Sequence, residues 1–210
     1  MKIYSLLILS MLFLPKISGQ ESFENDSIIS TLFNENEIAD LEKILVFFEG
    51  QIESILKEKN TYNRSMNVHR NYLNFISIPP NDRDFDTFIS INDQLLFYNQ
   101  ISASTFNKIW EFDITTITET MIDYKYLTYR RGGNYISFLK KLGDEYEHFA
   151  SYPRLYESMG TFCASVWWHP IIEHEKYNLE DIKVRLFVAI HFMTINDQAK
   201  RKEKISLLTE

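Results

Sequence analysis

The chain has 210 residues, 45% hydrophobic and 24% charged, with 16 Phe, 12 Tyr and 3 Trp against 6 Gly, 5 Pro and a single Cys. That balance is too apolar and aromatic for a disordered chain and too poor in Gly and Pro for a low-complexity or collagen-like one. One Cys leaves no intrachain disulfide framework and no CxxC-type zinc site.

Residues 1–19 read as a secretory signal peptide. Lys2 supplies the positive start, Ile3 to Leu14 is a twelve-residue uncharged and mostly apolar run, and Pro15 breaks it. Ile17-Ser18-Gly19 then places a small residue before a cut at Gln20. A spanning helix needs about 20 apolar residues, so the run is too short to cross a bilayer. No Cys follows it to carry a lipid. The expected product is a single soluble domain, residues 20–210, exported to the periplasm or the medium, with no membrane anchor once the leader is removed. Loss of Lys2 and Lys16 leaves 20 basic and 29 acidic residues, a net charge of −9. Such a charge excludes nucleic acid as a partner class, because that binding needs clustered Lys and Arg to displace counterions. It also opposes adsorption to anionic lipid.

From Asn34 to about Lys59, Ile38, Leu41, Leu45, Phe48, Ile52 and Ile55 recur at steps of 3, 4, 3, 4 and 3, which only a helix keeps on one side. Asn34 with Glu37 makes a capping box, and Phe33 is placed to staple onto Ile38. Tyr62 to Ile76 predicts a second helix, stopped by Pro79-Pro80. Asp84 to Tyr98 carries Phe85, Phe88, Ile89, Leu95 and Leu96, with a break at Ser90. Ser104 opens a short helix with Phe106, Ile109 and Trp110.

Ile114 to Tyr129 is rich in Thr and Ile, which favours strand. Its Ile114, Ile117, Met121, Tyr124 and Leu127 nevertheless keep a helical step, and on that spacing the segment is read as a helix ending at Gly132-Gly133. Asn134 restarts the chain into Ile136, Phe138, Leu139 and Leu142. Pro153 opens a helix with Tyr156, Met159, Phe162, Cys163 and Val166 on one face. Asn178 and Asp181 cap an apolar helix through Ile182, Leu186, Ala189, Ile190 and Met193, followed by a polar helix with Lys200, Arg201, Lys202 and Lys204. Ser90-Ile91-Asn92-Asp93-Gln94 and Thr194-Ile195-Asn196-Asp197-Gln198 share a helix-start pattern without being a repeat. The fold class expected is all-α, a single-domain multi-helix bundle.

There is no GxSxG elbow, GxGxxG, P-loop, EF-hand loop or HExxH. Glu145-Tyr146-Glu147-His148 holds one Glu-x-x-His, whereas a di-iron bundle needs two. His169-Pro170-Ile171-Ile172-Glu173-His174 resembles the inverted zinc motif with one residue too many. Its two histidines fall about 140° apart on a helix, with His169 expected at a cap before Pro170. Cys163 shares a stripe with Met159 and Val166 and reads as core, and His191, among Val188, Ile190 and Phe192, reads as a satisfied core histidine. No cofactor and no metal are expected.

Between Tyr124 and Tyr135 four tyrosines and three cations flank a Gly-Gly turn, the one place where charge and aromaticity combine. Tyr126, Tyr129, Arg130, Arg131 and Tyr135 are therefore candidate contacts for a partner, since Tyr and Arg give much contact energy at interfaces. Trp167 and Trp168 join them, because adjacent helical residues point about 100° apart and one indole must leave the core. The reading these features favour is a non-catalytic, exported protein-interaction module of the inhibitor or immunity kind. Two alternatives stand beside it: a metal-dependent hydrolase using His148, His169, Glu173 and His174, and a binder of a small apolar or sugar ligand.

Overall fold

A computed structural model describes residues 22–77, 86–117, 122–159 and 164–201. Residues 1–19, on which the leader reading rests, and Phe85, Phe162, Cys163 and the basic residues beyond Arg201 lie outside these.

A 3-10 turn, Phe23–Asn25, leads into α1 (Ser27–Leu32), whose first N–H groups are satisfied by the Asp26 carboxylate. Next comes α2 (Glu35–Glu58), the long helix that the apolar seam predicts, about 36 Å from end to end. Its capping box is closed both ways: Asn34 Oδ1 accepts from the Glu37 N–H, and Glu37 Oε2 accepts from the Asn34 N–H. The next helix starts later than Tyr62, as α3 (Val68–Ser77). The residues before it form a turn tied by Asn71, which accepts from the Asn63 N–H and donates to the Asn63 and Met66 carbonyls. α4 (Ile91–Tyr98) begins after Ser90, as its start signal implies. α5 (Ala103–Ile109) is capped by Ser102, not Ser104.

The segment from Ile114 to Tyr129 is not a helix. β1 (Trp110–Ile117) and β2 (Ile122–Tyr129) form an antiparallel hairpin with Trp110 opposite Tyr129 and Ile117 opposite Ile122. The chain is thus mostly helical with one small sheet, rather than all-α. α6 (Asn134–Glu145) follows the glycine turn. In α7 (Ser151–Met159), Pro153 lies in the first turn, where its missing N–H leaves no ladder bond unmade. α8 (Ala164–Ile172) holds His169 and Pro170 within it, so His169 is not a cap. Met159 is 56% exposed and does not share the core stripe expected for it. The last described helix, α9 (Ile182–Lys200), runs through Thr194 without a new start.

One hydrophobic cluster runs from Phe23 to Ile195. Its axis is α9, in which every residue from Leu186 to Asp197 is buried, the mark of a helix packed on all sides. α2, α4 and β2 pack against it. The polar residues on α9 serve as anchors. Thr194 Oγ1 donates to the Ile190 carbonyl and accepts from the Trp110 indole N–H at 2.8 Å, which fixes the base of the hairpin. Asn196 donates to Gln94 at 2.9 Å, so the two similar Asn-Asp-Gln stretches meet in space. No helix among the described residues is long and apolar enough to cross a membrane.

Candidate functional site

The hairpin's register decides which way its backbone points. The Arg130 N–H donates to the Ile109 carbonyl at 2.9 Å, which continues the register of the ladder and marks a hydrogen-bonded pair. Pairs alternate in an antiparallel ladder, so odd-numbered β1 residues bond inward to even-numbered β2 residues. The amides of Phe112, Ile114 and Thr116 on β1, and of Lys125, Leu127 and Tyr129 on β2, point outward. Two contacts agree: the Leu127 carbonyl accepts from Gln198 at 2.6 Å and the Tyr129 carbonyl from Tyr156 at 2.5 Å.

Beneath the base of the hairpin lies a buried polar network. His191 Nε2 meets the Trp167 carbonyl at 3.2 Å, and a carbonyl only accepts, so Nε2 carries the proton. Nδ1 is then an acceptor, and Tyr152 donates to it at 2.6 Å. With the Tyr152 proton committed, its oxygen accepts from Tyr129 at 3.2 Å. Tyr156 donates to the Tyr129 carbonyl, so its oxygen accepts from Thr128 at 2.8 Å. Burial drives the His191 pKa down to about 3, against help from the Trp167 carbonyl, and lifts that of Tyr156 to about 12. The group is neutral across the ordinary pH range.

This geometry divides the predicted contacts. Tyr129 and Tyr135 are fully buried and cannot meet a partner at the surface. They sit with ring centroids 4.8 Å apart, and the Tyr135 hydroxyl lies beside Tyr129 without a well-formed hydrogen bond. The other members remain accessible. Tyr126 is half-buried and reaches Asp113 at 3.3 Å, Arg130 is exposed, and the exposed Arg131 guanidinium reaches Asp113 at 3.4 Å. The Arg131 N–H is held by Glu111 at 2.9 Å. Beside the turn opens a cavity of about 200 Å³ lined by Arg131, Gly132, Ile136, Tyr156 and Glu157. Ile136, Tyr156 and Glu157 were invisible as site residues in the sequence, because nothing local says that α6 and α7 flank the turn. On α8, Trp167 is half-buried against the core and Trp168 is 43% exposed. Neither lines the cavity.

His169, Glu173 and His174 of the hydrolase alternative each have local partners, whereas the buried His148 Nε2 makes no hydrogen bond. His169 Nδ1 meets the Tyr177 hydroxyl at 3.2 Å, while His148 stacks on the Tyr177 ring. His174 bonds the Ile171 carbonyl and Asn74, and Glu173 pairs with Lys176. Burial lowers the pKa of His148 and His169 although Glu173 opposes the shift. Among the described residues no three His, Cys, Asp or Glu side chains converge where a metal would sit.

No known protein family, curated protein or solved structure matches the chain. A larger concavity of about 900 Å³ lies at the start of α2, beside Glu24, Ser30, Asn34 and Glu35. Its apolar wall, Phe33 and Ile38, is already buried in the core, and Asn34 is spent on the cap. The hairpin and its turn are the better-built surface.

Proposed function

We propose that the chain is an exported protein-binding module without catalytic chemistry, whose contact surface is the Tyr126 face of the hairpin together with the Arg130–Gly133 turn. The apolar leader supports export. The observation that carries the surface is the cavity of about 200 Å³ beside exposed Arg130 and Arg131, in a molecule that is otherwise acidic. Free small-molecule sites run to about 300–1,000 Å³. This cavity suits a single side chain of a partner better than a sugar. The Arg131–Asp113 pair is exposed and so worth little by itself, which leaves Arg131 able to exchange Asp113 for a partner's carboxylate. The tyrosine and histidine network behind the turn holds the backbone still, so binding costs little ordering entropy.

The test is capture of a partner from an extract of the source cells, followed by affinity measurement with the purified pair. Tyr126→Ala combined with Arg131→Ala alters only surface groups and should weaken binding by more than about thirtyfold, equivalent to about 2 kcal/mol. Unchanged affinity with an intact near-UV spectrum would remove this surface from the proposal.

A further inference from the structure

We infer that β1 is a dimerisation edge: two copies of this chain pair their β1 strands antiparallel about a twofold axis at Ile114, joining two hairpins into one four-stranded sheet. The two outer edges of the hairpin are unlike. On β2 the outward Leu127 and Tyr129 carbonyls are sealed by Gln198 and Tyr156. On β1 the outward groups of Phe112 and Thr116, and the Ile114 carbonyl, have no hydrogen-bond partner among the described residues; only the Ile114 N–H is held, by the neighbouring Asp113 carboxylate at 2.8 Å. Phe112 and Ile114 are 39% and 58% exposed along this edge. Lone two-stranded hairpins are marginal in water, and an open edge carrying apolar side chains pairs unless guarded by Pro, Lys or a covering element. β1 itself carries no Pro and no Lys; Lys125 and Arg201 lie over the face of the Phe112 ring, at 4.2 and 4.8 Å from its centroid, and among the described residues no element bonds the outward backbone of the strand.

A second copy fits the edge because the strand is chemically self-complementary about Ile114. An antiparallel twofold sets Ile114 opposite Ile114, Phe112 opposite Thr116 and Asp113 opposite Thr115, with no like charges facing. The parity agrees, since Phe112, Ile114 and Thr116 are the residues whose amides already point outward. The Ile114 N–H passes from Asp113 to the second copy's Ile114 carbonyl, and Asp113 keeps Arg131 and Tyr126. The axis is perpendicular to the sheet, so both Tyr126 faces lie on the same side and the dimer is bivalent. Pairing does not depend on the proposed partner surface, which stays uncovered.

The test is the mass of the purified protein by light scattering across a concentration series, with two variants. The expected result is a dimer that becomes a monomer in Ile114→Pro with its helical circular dichroism unchanged, because the lost N–H makes no ladder bond within the chain. In a Cys163→Ser background, Ile114→Cys should form a disulfide-linked dimer on mild oxidation, as facing residues of a hydrogen-bonded pair lie about 5.5 Å apart between Cα atoms. Thr115→Cys, one residue along, should not. A monomer at every concentration, a dimer that survives Ile114→Pro, or equal cross-linking at both positions overturns the inference.

Discussion

Asp40 shows how much one buried carboxylate does. It sits on α2 yet braces the cap of α5, accepting from the Ser102 N–H and the Thr105 hydroxyl at 2.8 Å and from Lys43 at 2.7 Å. Burial works to raise its pKa, but Lys43, Ser102 and Thr105 together hold it at about 2. A depressed carboxylate stabilises the fold above its unfolded pKa, and that stability is lost as pH falls from about 3.8 toward about 2. Asp40→Ala should cost about 2–4 kcal/mol at neutral pH in urea unfolding, because two donors are left unpaired. Tyr152→Phe poses the complementary question. It removes the Tyr152 donor that meets His191 Nδ1 at 2.6 Å and should cost about 1–3 kcal/mol, with little change in the exposed surface. His191 was legible as a satisfied core histidine from its apolar neighbours. The phenols around it were not, since Tyr129 lies on β2 and Tyr152 and Tyr156 on α7, two elements that only the tertiary fold brings to α9.

At the scale of elements, the helices were legible where a long apolar period coincided with a cap, as in α2 and α9. The hairpin was lost because two signals disagreed. Trp110, Phe112 and Ile114 alternate with Glu111, Asp113 and Thr115, the period of a half-buried strand, but a helix reading that starts at Ile114 cuts this alternation in two. Packing of Trp110, Leu127 and Tyr129 against the core settles the conflict in favour of strand. Thr194 misled for a different reason: its hydroxyl bonds back to the Ile190 carbonyl inside a continuous helix instead of capping a new one. Of the candidate contacts, Arg130 and Arg131 are exposed and Tyr126 is half-buried, whereas Tyr129, three residues on and so on the other face of β2, and Tyr135, on the inner side of α6, are fully buried. The turn that joins the hairpin to α6 is under tight steric control. A Cβ at Gly133 would lie 2.7 Å from the Lys108 carbonyl and 3.0 Å from that of Arg130, both backbone atoms that no rotamer change relieves. Gly133→Ala should therefore destabilise by about 1–3 kcal/mol, read as a lowered urea midpoint. Gly132→Ala adds no clash but strains a residue with φ of +69°, at a cost of about 1 kcal/mol.

For the whole molecule, buried histidines make the fold acid-sensitive. His69, His148, His169 and His191 all have pKa values pushed below the ordinary 6.5, in each case by burial first. The unfolded chain therefore gains protons below about pH 6.5 that the folded chain refuses, and stability falls with pH. His191 alone contributes a slope of about 1.4 kcal/mol per pH unit between its unfolded value and about 3. Urea midpoints should drop from pH 8 to pH 5, and His191→Gln should flatten that dependence while lowering the midpoint at pH 8. Against this stabilised helical body the hairpin is the displayed element, and its Tyr126 face with the Arg130–Gly133 turn is the claimed working surface. Hydrogen exchange with and without the captured partner tests that claim most directly. The prediction is new protection at residues 122–136, with α2 and α9 unchanged. Protection confined to α7 and α8, around exposed Met159 and Trp168, with the hairpin exchanging as before, would contradict it.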